Sequence, residues 1–342
     1  MSDPAISVII PTRDRAALLP GVLDALRAQV CATTFEVVVV DNASTDGTGA
    51  LLADRCADDQ RFRALRQSVL GRSAAMNTGA AAARGDLLVF TDDDVVVAPD
   101  WLESYRKFFA SRAGVAPVVA GGPIHPVAEH LGPWPAWLGD AAIDDLVPLD
   151  WGGAERELHP PEYLWGANMA LTRVVFDRIG TWDETVGRRG DERGTYEDVE
   201  YQDRIRRAGG AVWYCPSARV LHRLPADRVT PAIVLSNAFA RGRNEVWSEA
   251  ARPRPAGIGV VAIARFGRWA VRTLSFRISG GADRFDRARR AAVACGDAME
   301  LSAQRYGDVR GAGAMAAVGW IVARAIVRAA GRRQDGPRPS LR

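Results

Sequence analysis

Cysteine is scarce in this sequence, lysine is nearly missing, and no apolar run reaches bilayer length. The four cysteines in 342 residues, Cys31, Cys56, Cys215 and Cys295, lie far apart, and none pairs at metal-ligand spacing, which argues against a zinc site. No signal peptide is evident either, so the expected compartment is a reducing cytoplasm. Lys107 is the only lysine, so nearly all 44 basic residues are arginine, a bias that carries no functional weight. The uncharged stretch Ala312 to Ala323 falls short of the roughly 20 apolar residues that span a bilayer. Glycine is absent where a triphosphate would need it. The loop after the first apolar run reads Pro11-Thr12-Arg13-Asp14-Arg15, with no glycine-rich wrap, which disfavours a nucleotidyltransferase.

What is present is ordinary globular material, 48% hydrophobic and 25% charged, enough for one large domain and an appendage. The net charge of +3 is unevenly spread, with acids dominating Ala141 to Asp203 and arginine the final third. Ile6 to Ile10, Phe35 to Val40 and Leu87 to Phe90 are short apolar runs that read as buried strands, and Phe62 to Leu65 is a weaker one. Between them, Leu18, Leu19, Val22, Leu23 and Leu26 recur at helical spacing within Ala16 to Val30. Thr45 or Thr48 is placed to cap a second helix, and Ser73 to Arg84 is an alanine-rich third. This alternation predicts a parallel sheet with right-handed connections.

The stretch from Leu87 to Leu102 organises the rest. Four residues of a dry strand run directly into Asp92, Asp93 and Asp94, and neighbouring carboxylates repel unless something positive sits among them. Hard oxygen ligands suit Mg²⁺ or Mn²⁺ shared with phosphate oxygens, at the strand ends where open α/β sheets bind ligands. A solvated acidic turn is the other reading. Asp41 also ends a strand, and Arg72 precedes a helix, so both fall on the same predicted edge. Together they suit a nucleotide, with an Asx turn and a solvated helix end as alternatives. Glu197 and Asp198 open a helix with Tyr201, Ile205 and Ala208 on one face. Glu200 with Arg204, and Asp203 with Arg207, are expected i, i+4 pairs. The helix dipole is expected to keep the first-turn acids ionised.

SVIIPTRDR, VVVVDNASTDGT, GRSAAMNTGAAAARGD, FTDDDVVVAPDWL, LWGANMALTR and YEDVEYQDRIRRAGG, in that order, resemble the family 2 glycosyltransferases of GT-A fold across Ile6 to His222. The resemblance implies an inverting, non-processive enzyme that uses a nucleotide-sugar donor. The fold it implies is an α/β, Rossmann-like, mostly parallel sheet flanked by helices. Pro11, Thr12, Arg13, Asp41 and Arg72 match positions around the nucleotide, with Asp92 or Asp93 at the ribose or a second metal contact. Asp94, Asp92 and His222 match the metal position, and Trp165, Gly166, Ala167 and Asn168 the sugar pocket. Asp198 matches the catalytic base, with Glu197 beside it. No Gln-x-x-Arg-Trp segment, the mark of processive synthases, follows Gly209.

The expected division is a catalytic domain over 1–225, a helical appendage over 226–335 and a tail over 336–342. Trp134, Trp137, Trp151 and Trp165 lie among proline, glycine and acids, where stacking on a sugar and core packing are equally open. Arg241 and Arg243 fit a lid over a leaving diphosphate or a solvated helix break. Arg265, Arg268 and Arg272, then Arg324, Arg328 and Arg332, mark basic amphipathic helices. Such helices suit an anionic leaflet, placing the protein at the inner face of the plasma membrane, or suit packing against the catalytic domain. The acceptor is expected to be a glycan, a lipid-linked molecule or a small molecule, as in cell-envelope glycoconjugate synthesis. Nucleic acid is not expected as a partner. Besides the nucleotidyltransferase, a non-catalytic carbohydrate- or membrane-binding module is the remaining alternative.

Overall fold

The structure, a computed structural model, describes residues 3–112, 118–127, 134–139, 149–160, 162–185 and 197–225. It also describes isolated positions at 143 and 146, within 229–238 and within 285–292. The chain divides into two compact units, Met1–Val127 with Pro148–Arg223, and Ala128–Val147 with Leu224–Arg342.

The first unit opens with the predicted alternation: β1 (Ile6–Thr12), α1 (Leu19–Arg27), β2 (Phe35–Asp41), α2 (Thr48–Asp58), β3 (Phe62–Arg66), α3 (Arg72–Ala82) and β4 (Leu87–Thr91). β5 (Val95–Val97), α4 (Trp101–Ala110), β6 (Val118–Gly121), β7 (Ile124–Val127), β8 (Arg156–Leu158) and β9 (Asn168–Thr172) follow. After them come α5 (Arg173–Ile179), α6 (Glu197–Arg207), β10 (Ala211–Tyr214) and β11 (Val220–Arg223). Eight strands form one sheet in the order β3-β2-β1-β4-β9-β6-β10-β8, and β5-β11-β7 form a small second sheet. β1, β2, β3 and β4 run parallel, whereas β9 lies antiparallel between β4 and β6. This is the mostly parallel, helix-flanked α/β sheet that the sequence predicts.

Every residue of β1, β2 and β4 is buried, which is why these strands are continuous apolar runs rather than alternating ones. Each fully buried Ile, Leu or Val contributes roughly 1.5–3 kcal/mol. α3 lies close on β1 because Gly79 has no side chain; a Cβ there would fall 2.5 Å from Ile9 Cγ2. The parallel register pairs Thr12 with Asp41, so the strand ends that carry polar residues finish at the same level.

Some expectations do not hold. Neither threonine caps α2: Gly47 occupies the cap position, Asp46 Oδ1 accepts Thr48 N–H at 2.9 Å, and the Thr48 hydroxyl accepts Arg15 N–H at 3.0 Å. The hydroxyl is thus used to tie down a neighbouring loop. Asp203 pairs with Arg206, at 3.3 Å, instead of Arg207, and accepts the Tyr163 hydroxyl at 3.1 Å, while Glu200 and Arg204 pair as expected at 2.8 Å.

In the second unit, buried Leu138, Leu146, Val234 and Phe285 form a separate apolar cluster, against which Trp134 and Trp137 pack. Trp137 meets Phe285 edge-on at 4.7 Å, so for it the packing alternative holds. Arg241, Arg243 and both predicted basic helices lie outside the described residues. Among the described residues, no helix is long and apolar enough to cross a membrane.

Candidate active site

The first two strand ends are locked to each other before any ligand is considered. Asn42 N–H donates to Thr12 O at 2.8 Å, Asp14 Oδ1 accepts Thr45 N–H at 2.7 Å, and Asp14 N–H donates to Ser44 Oγ at 2.9 Å. Asp14 and Ala43 hold φ of 52° and 58°, a left-handed conformation that costs on the order of 1 kcal/mol or more in a non-glycine residue. Asp41 is buried; Oδ1 accepts Ser44 N–H at 2.9 Å and Oδ2 accepts from Arg66 at 3.0 Å. Arg13 Nε is buried and makes no hydrogen bond, its nearest charged neighbour being Asp14 Oδ2 at 3.5 Å. Pro11 stays within β1.

At the third strand end the acids separate into different environments. Arg72, the first residue of α3, donates through Nη2 and Nε to Asp92 Oδ1 at 2.8 and 3.2 Å. Through Nη1 it reaches Glu197 Oε1 at 3.2 Å and Asp198 Oδ1 at 3.3 Å. One guanidinium therefore gathers carboxylates from β4 and from the start of α6, more than a hundred residues apart. Asp93 is buried beside Asp94, with Arg15 at 3.5 Å; burial and the Asp94 charge push its carboxyl up to about 7 against the pull of Arg15. Asp94 Oδ1 lies 3.3 Å from His222 Nε2 because β11 pairs antiparallel with β5, setting His222 opposite Val95.

Asp198 is expected to be ionised, and at pH 7 it is, but it holds its proton more tightly than an ordinary carboxylate. Burial pushes its carboxyl up to about 6, Arg72 draws it down, Glu197 raises it, and the N–H of Gly166, at 2.9 Å from Oδ2, lowers it. Desolvation thus outweighs the helix dipole, and the group is a stronger base than a first-turn acid on a solvated helix. Gly166 leaves room for both side chains at this spot, since a Cβ would lie 2.5 Å from Asp198 Oδ1 and 2.7 Å from Arg72 Nη2 and would push them aside.

The pocket residues split. Trp165 is partly buried against the core, and Ala167 O accepts the Thr91 hydroxyl at 2.9 Å. Asn168 is a correction. Its Oδ1 accepts Trp101 Nε1 at 2.8 Å and Tyr105 OH at 2.7 Å, and its Nδ2 donates to Ala218 O at 2.7 Å and Pro123 O at 3.2 Å. Four internal hydrogen bonds use its whole capacity, so it anchors the framework and has nothing left for a sugar. Trp151 is exposed, 5.8 Å from Arg156.

Among the described residues no group of three or more His, Cys, Asp or Glu side chains forms a ready-made cation site. The residues nevertheless fit a cation completed by substrate oxygens. His222 is buried, its Nδ1 has no partner, and its other nitrogen faces a carboxylate at a strand end. Mg²⁺ and Mn²⁺ need few protein ligands when phosphates supply the others.

The sequence reading passed over Asn42. Its Nδ2 donates to Val69 O at 2.6 Å and Gln67 O at 3.2 Å, and its Oδ1 accepts Gly71 N–H at 2.8 Å, so it shapes the loop that delivers Arg72. The turn-forming run after Asp41 signals a turn there but not its distant partner.

A mostly parallel sheet whose strand ends carry these acids, flanked by helices, is a GT-A type α/β domain. Residues 7–135 match the sequence model of Glycosyl transferase family 2, and it is this segment that carries the family. Validoxylamine A glucosyltransferase of Streptomyces hygroscopicus subsp. jinggangensis is 32% identical over 206 residues, 53% of this chain and 47% of that protein. Glucosyl-dolichyl phosphate glucuronosyltransferase of Haloferax volcanii is 28% identical over 210 residues, 57% of this chain and 62% of that one. The chain spans about half the length of the first of these. The mannosyltransferase PcManGT of Pyrobaculum calidifontis, solved with GDP-Man and Mn²⁺, superposes with a TM-score of 0.52 at 20% identity. That superposition covers 97% of this chain and 87% of that one, a likeness of fold.

Proposed function

We propose that this protein transfers a sugar from a nucleotide-sugar donor to an acceptor hydroxyl with inversion at the anomeric carbon. The observation that carries this reading is the Arg72 guanidinium, which brings Asp92, from the predicted donor-metal motif, and Asp198, the predicted base, to one place.

Asp198 takes the proton of the acceptor hydroxyl as its oxygen bonds to the anomeric carbon, and the bond from that carbon to the diphosphate breaks, releasing the nucleoside diphosphate. A carboxylate raised to about 6 is ionised at pH 7 yet basic enough to help, and such assistance is worth roughly 10² to 10⁴ in rate. Arg72, spent on carboxylates, holds Asp198 against Asp92 in place of binding the base; that leaves the nucleotide to Thr12 and Asp41, with Pro11 and Arg13 beside them. Asp94, Asp92 and His222 would hold Mg²⁺ or Mn²⁺, which supplies charge to stabilise the departing diphosphate. The Mn²⁺ and GDP-Man bound by the structural neighbour support a divalent cation and a nucleotide-sugar donor.

The acceptor is a glycan, a lipid-linked molecule or a small molecule. One relative is named for validoxylamine A and another for glucosyl-dolichyl phosphate, so the acceptor differs among similar proteins. The catalytic domain is taken as residues 1–225 apart from Ala128–Val147, which group with the C-terminal unit, and the basic segments over 226–335 as an appendage that keeps the protein at the cytoplasmic membrane surface. Flotation with anionic vesicles that is lost on removing the residues after Pro225 tests that placement.

The activity is tested by incubating the protein with GDP-mannose, UDP-glucose and UDP-N-acetylglucosamine, with MnCl₂ or with a chelator. Release of nucleoside diphosphate from one donor, abolished by the chelator, is expected; release of pyrophosphate, or no release from any donor, removes the reading.

A further inference from the structure

Trp182 touches all three elements whose ends meet at Arg72. Its indole is buried and stacks on Tyr201 of α6, with ring centroids 3.9 Å apart and planes within 4°. It also meets Phe90 of β4 at 4.6 Å, two residues before Asp92. Its backbone is gripped by Asn77 of α3: Trp182 N–H donates to Asn77 Oδ1 at 2.9 Å, and Asn77 Nδ2 donates to Trp182 O at 3.0 Å. α6 holds the same segment from its own side. Tyr201 OH donates to Gly180 O at 3.0 Å, and Arg204 reaches Ile179 O and Thr181 O at 3.0 and 2.8 Å.

The elements joined in this way are the ones that deliver Asp92, Arg72 and Asp198. Stacked flat rings and a two-point amide clasp are stiff, so they fix α6 and α3 to the same 179–182 segment. An oxygen at the start of α6 is placed only as well as the helix behind it.

We propose that Trp182, clasped by Asn77 and stacked on Tyr201, is a positioning residue for proton transfer, setting Asp198 against Arg72 and the acceptor. The inference rests on the reading of Asp198 as base. It makes the brace a determinant of kcat, separate from the strand ends that take the nucleotide.

The test uses Asn77→Ala and Tyr201→Phe, which loosen the brace without opening the core, alongside Trp182→Phe. Each is measured alone and with Asp198→Asn, using whichever of the three donors above is turned over. Misplacement by about 1 Å can cost on the order of 100-fold, so a loss of about 10-fold or more in kcat is expected, with donor KM held within about two-fold. The thermal shift given by GDP or UDP should stay as in the parent. In the Asp198→Asn background the same substitutions should cost nothing further, because the group they position is gone.

A merely structural brace would weaken nucleotide binding along with kcat and cost the same factor in both backgrounds, and that pattern overturns the proposal. So does unchanged kcat in Asn77→Ala and Tyr201→Phe while Asp198→Asn loses turnover, a result that leaves the base reading standing. Full turnover in Asp198→Asn removes the base reading and this one with it.

Discussion

Two carboxylates of the large unit, buried Glu36 and the half-buried Asp198 at the start of α6, have opposite surroundings. Glu36, near the start of β2, is met by Arg63 at 2.8 Å, by Arg84 through its backbone at 2.7 Å and its side chain at 2.8 Å, and by the Ser7 hydroxyl at 2.8 Å. Burial pushes its carboxyl up, but Arg63, Arg84 and Ser7 pull it down to about 2. Asp198 has one arginine that it shares with Asp92 and Glu197, and burial leaves it near 6. Two arginines on one acid hold it charged; an arginine shared with two neighbouring acids, the arrangement among the described residues, leaves Asp198 able to gain and lose a proton near pH 6. On the proposed reading, the same chemistry of Arg and carboxylate serves stability around Glu36 and proton transfer around Asp198.

That contrast is tested most severely by removing Glu36. Breaking a buried, multiply bonded ion pair costs about 3–5 kcal/mol, so Glu36→Ala should lower the urea midpoint steeply while the folded fraction keeps its turnover. Arg72→Met should do the reverse in emphasis. With its shared cation gone, the base is no longer held, and kcat is expected to fall on the order of 100-fold while GDP or UDP binding persists. Gly166→Ala is milder. The new methyl meets side-chain ends that can shift, so the fold should survive, with kcat reduced about 10-fold as Asp198 moves.

The smallest effects lie in pH dependence, and their signs differ. The folded pKa of Glu36 lies below the ordinary 4.5, so its stabilisation is complete above pH 4.5 and is lost as pH falls towards 2. The loss is up to about 3 kcal/mol, reduced because Arg63 and Arg84 are partly solvated. The folded pKa of Asp198 lies above the ordinary 3.8, so ionising it works against folding as pH rises from 3.8 through about 6. Urea midpoints across pH should therefore show Glu36→Gln losing its deficit in acid, and Asp198→Asn gaining a small advantage that builds from about pH 3.8 and is complete above about pH 6. The kcat of the parent should climb through pH 6.

The strands and the acids at their ends were legible because both are local: an apolar run of five to seven residues, then a polar stop. The fold class follows from their alternation. Arg72 was not legible in the same way. Its partners Glu197 and Asp198 are 125 and 126 positions away, and nothing in the arginine's neighbourhood distinguishes a phosphate contact from a carboxylate one. Asn168 misled because it sits beside Gly166 and Ala167, yet a side chain at the start of β9 turns on the choice between core and cleft that spacing leaves open. Four tryptophans drew notice for lying among turn residues, while Trp182 passed unnoticed because stacking on Tyr201 is a tertiary fact. Thr45 and Thr48 have the right chemistry for a cap, but the adjacent loops had already claimed it.

The most direct test of the account is the turnover of Asp198→Asn set beside its nucleotide binding. With the donor that the parent hydrolyses or transfers fastest, the substitution should lower kcat by roughly 10² to 10⁴ while leaving the GDP or UDP thermal shift as it was. Parent-like kcat in that variant, with binding equally intact, would contradict it.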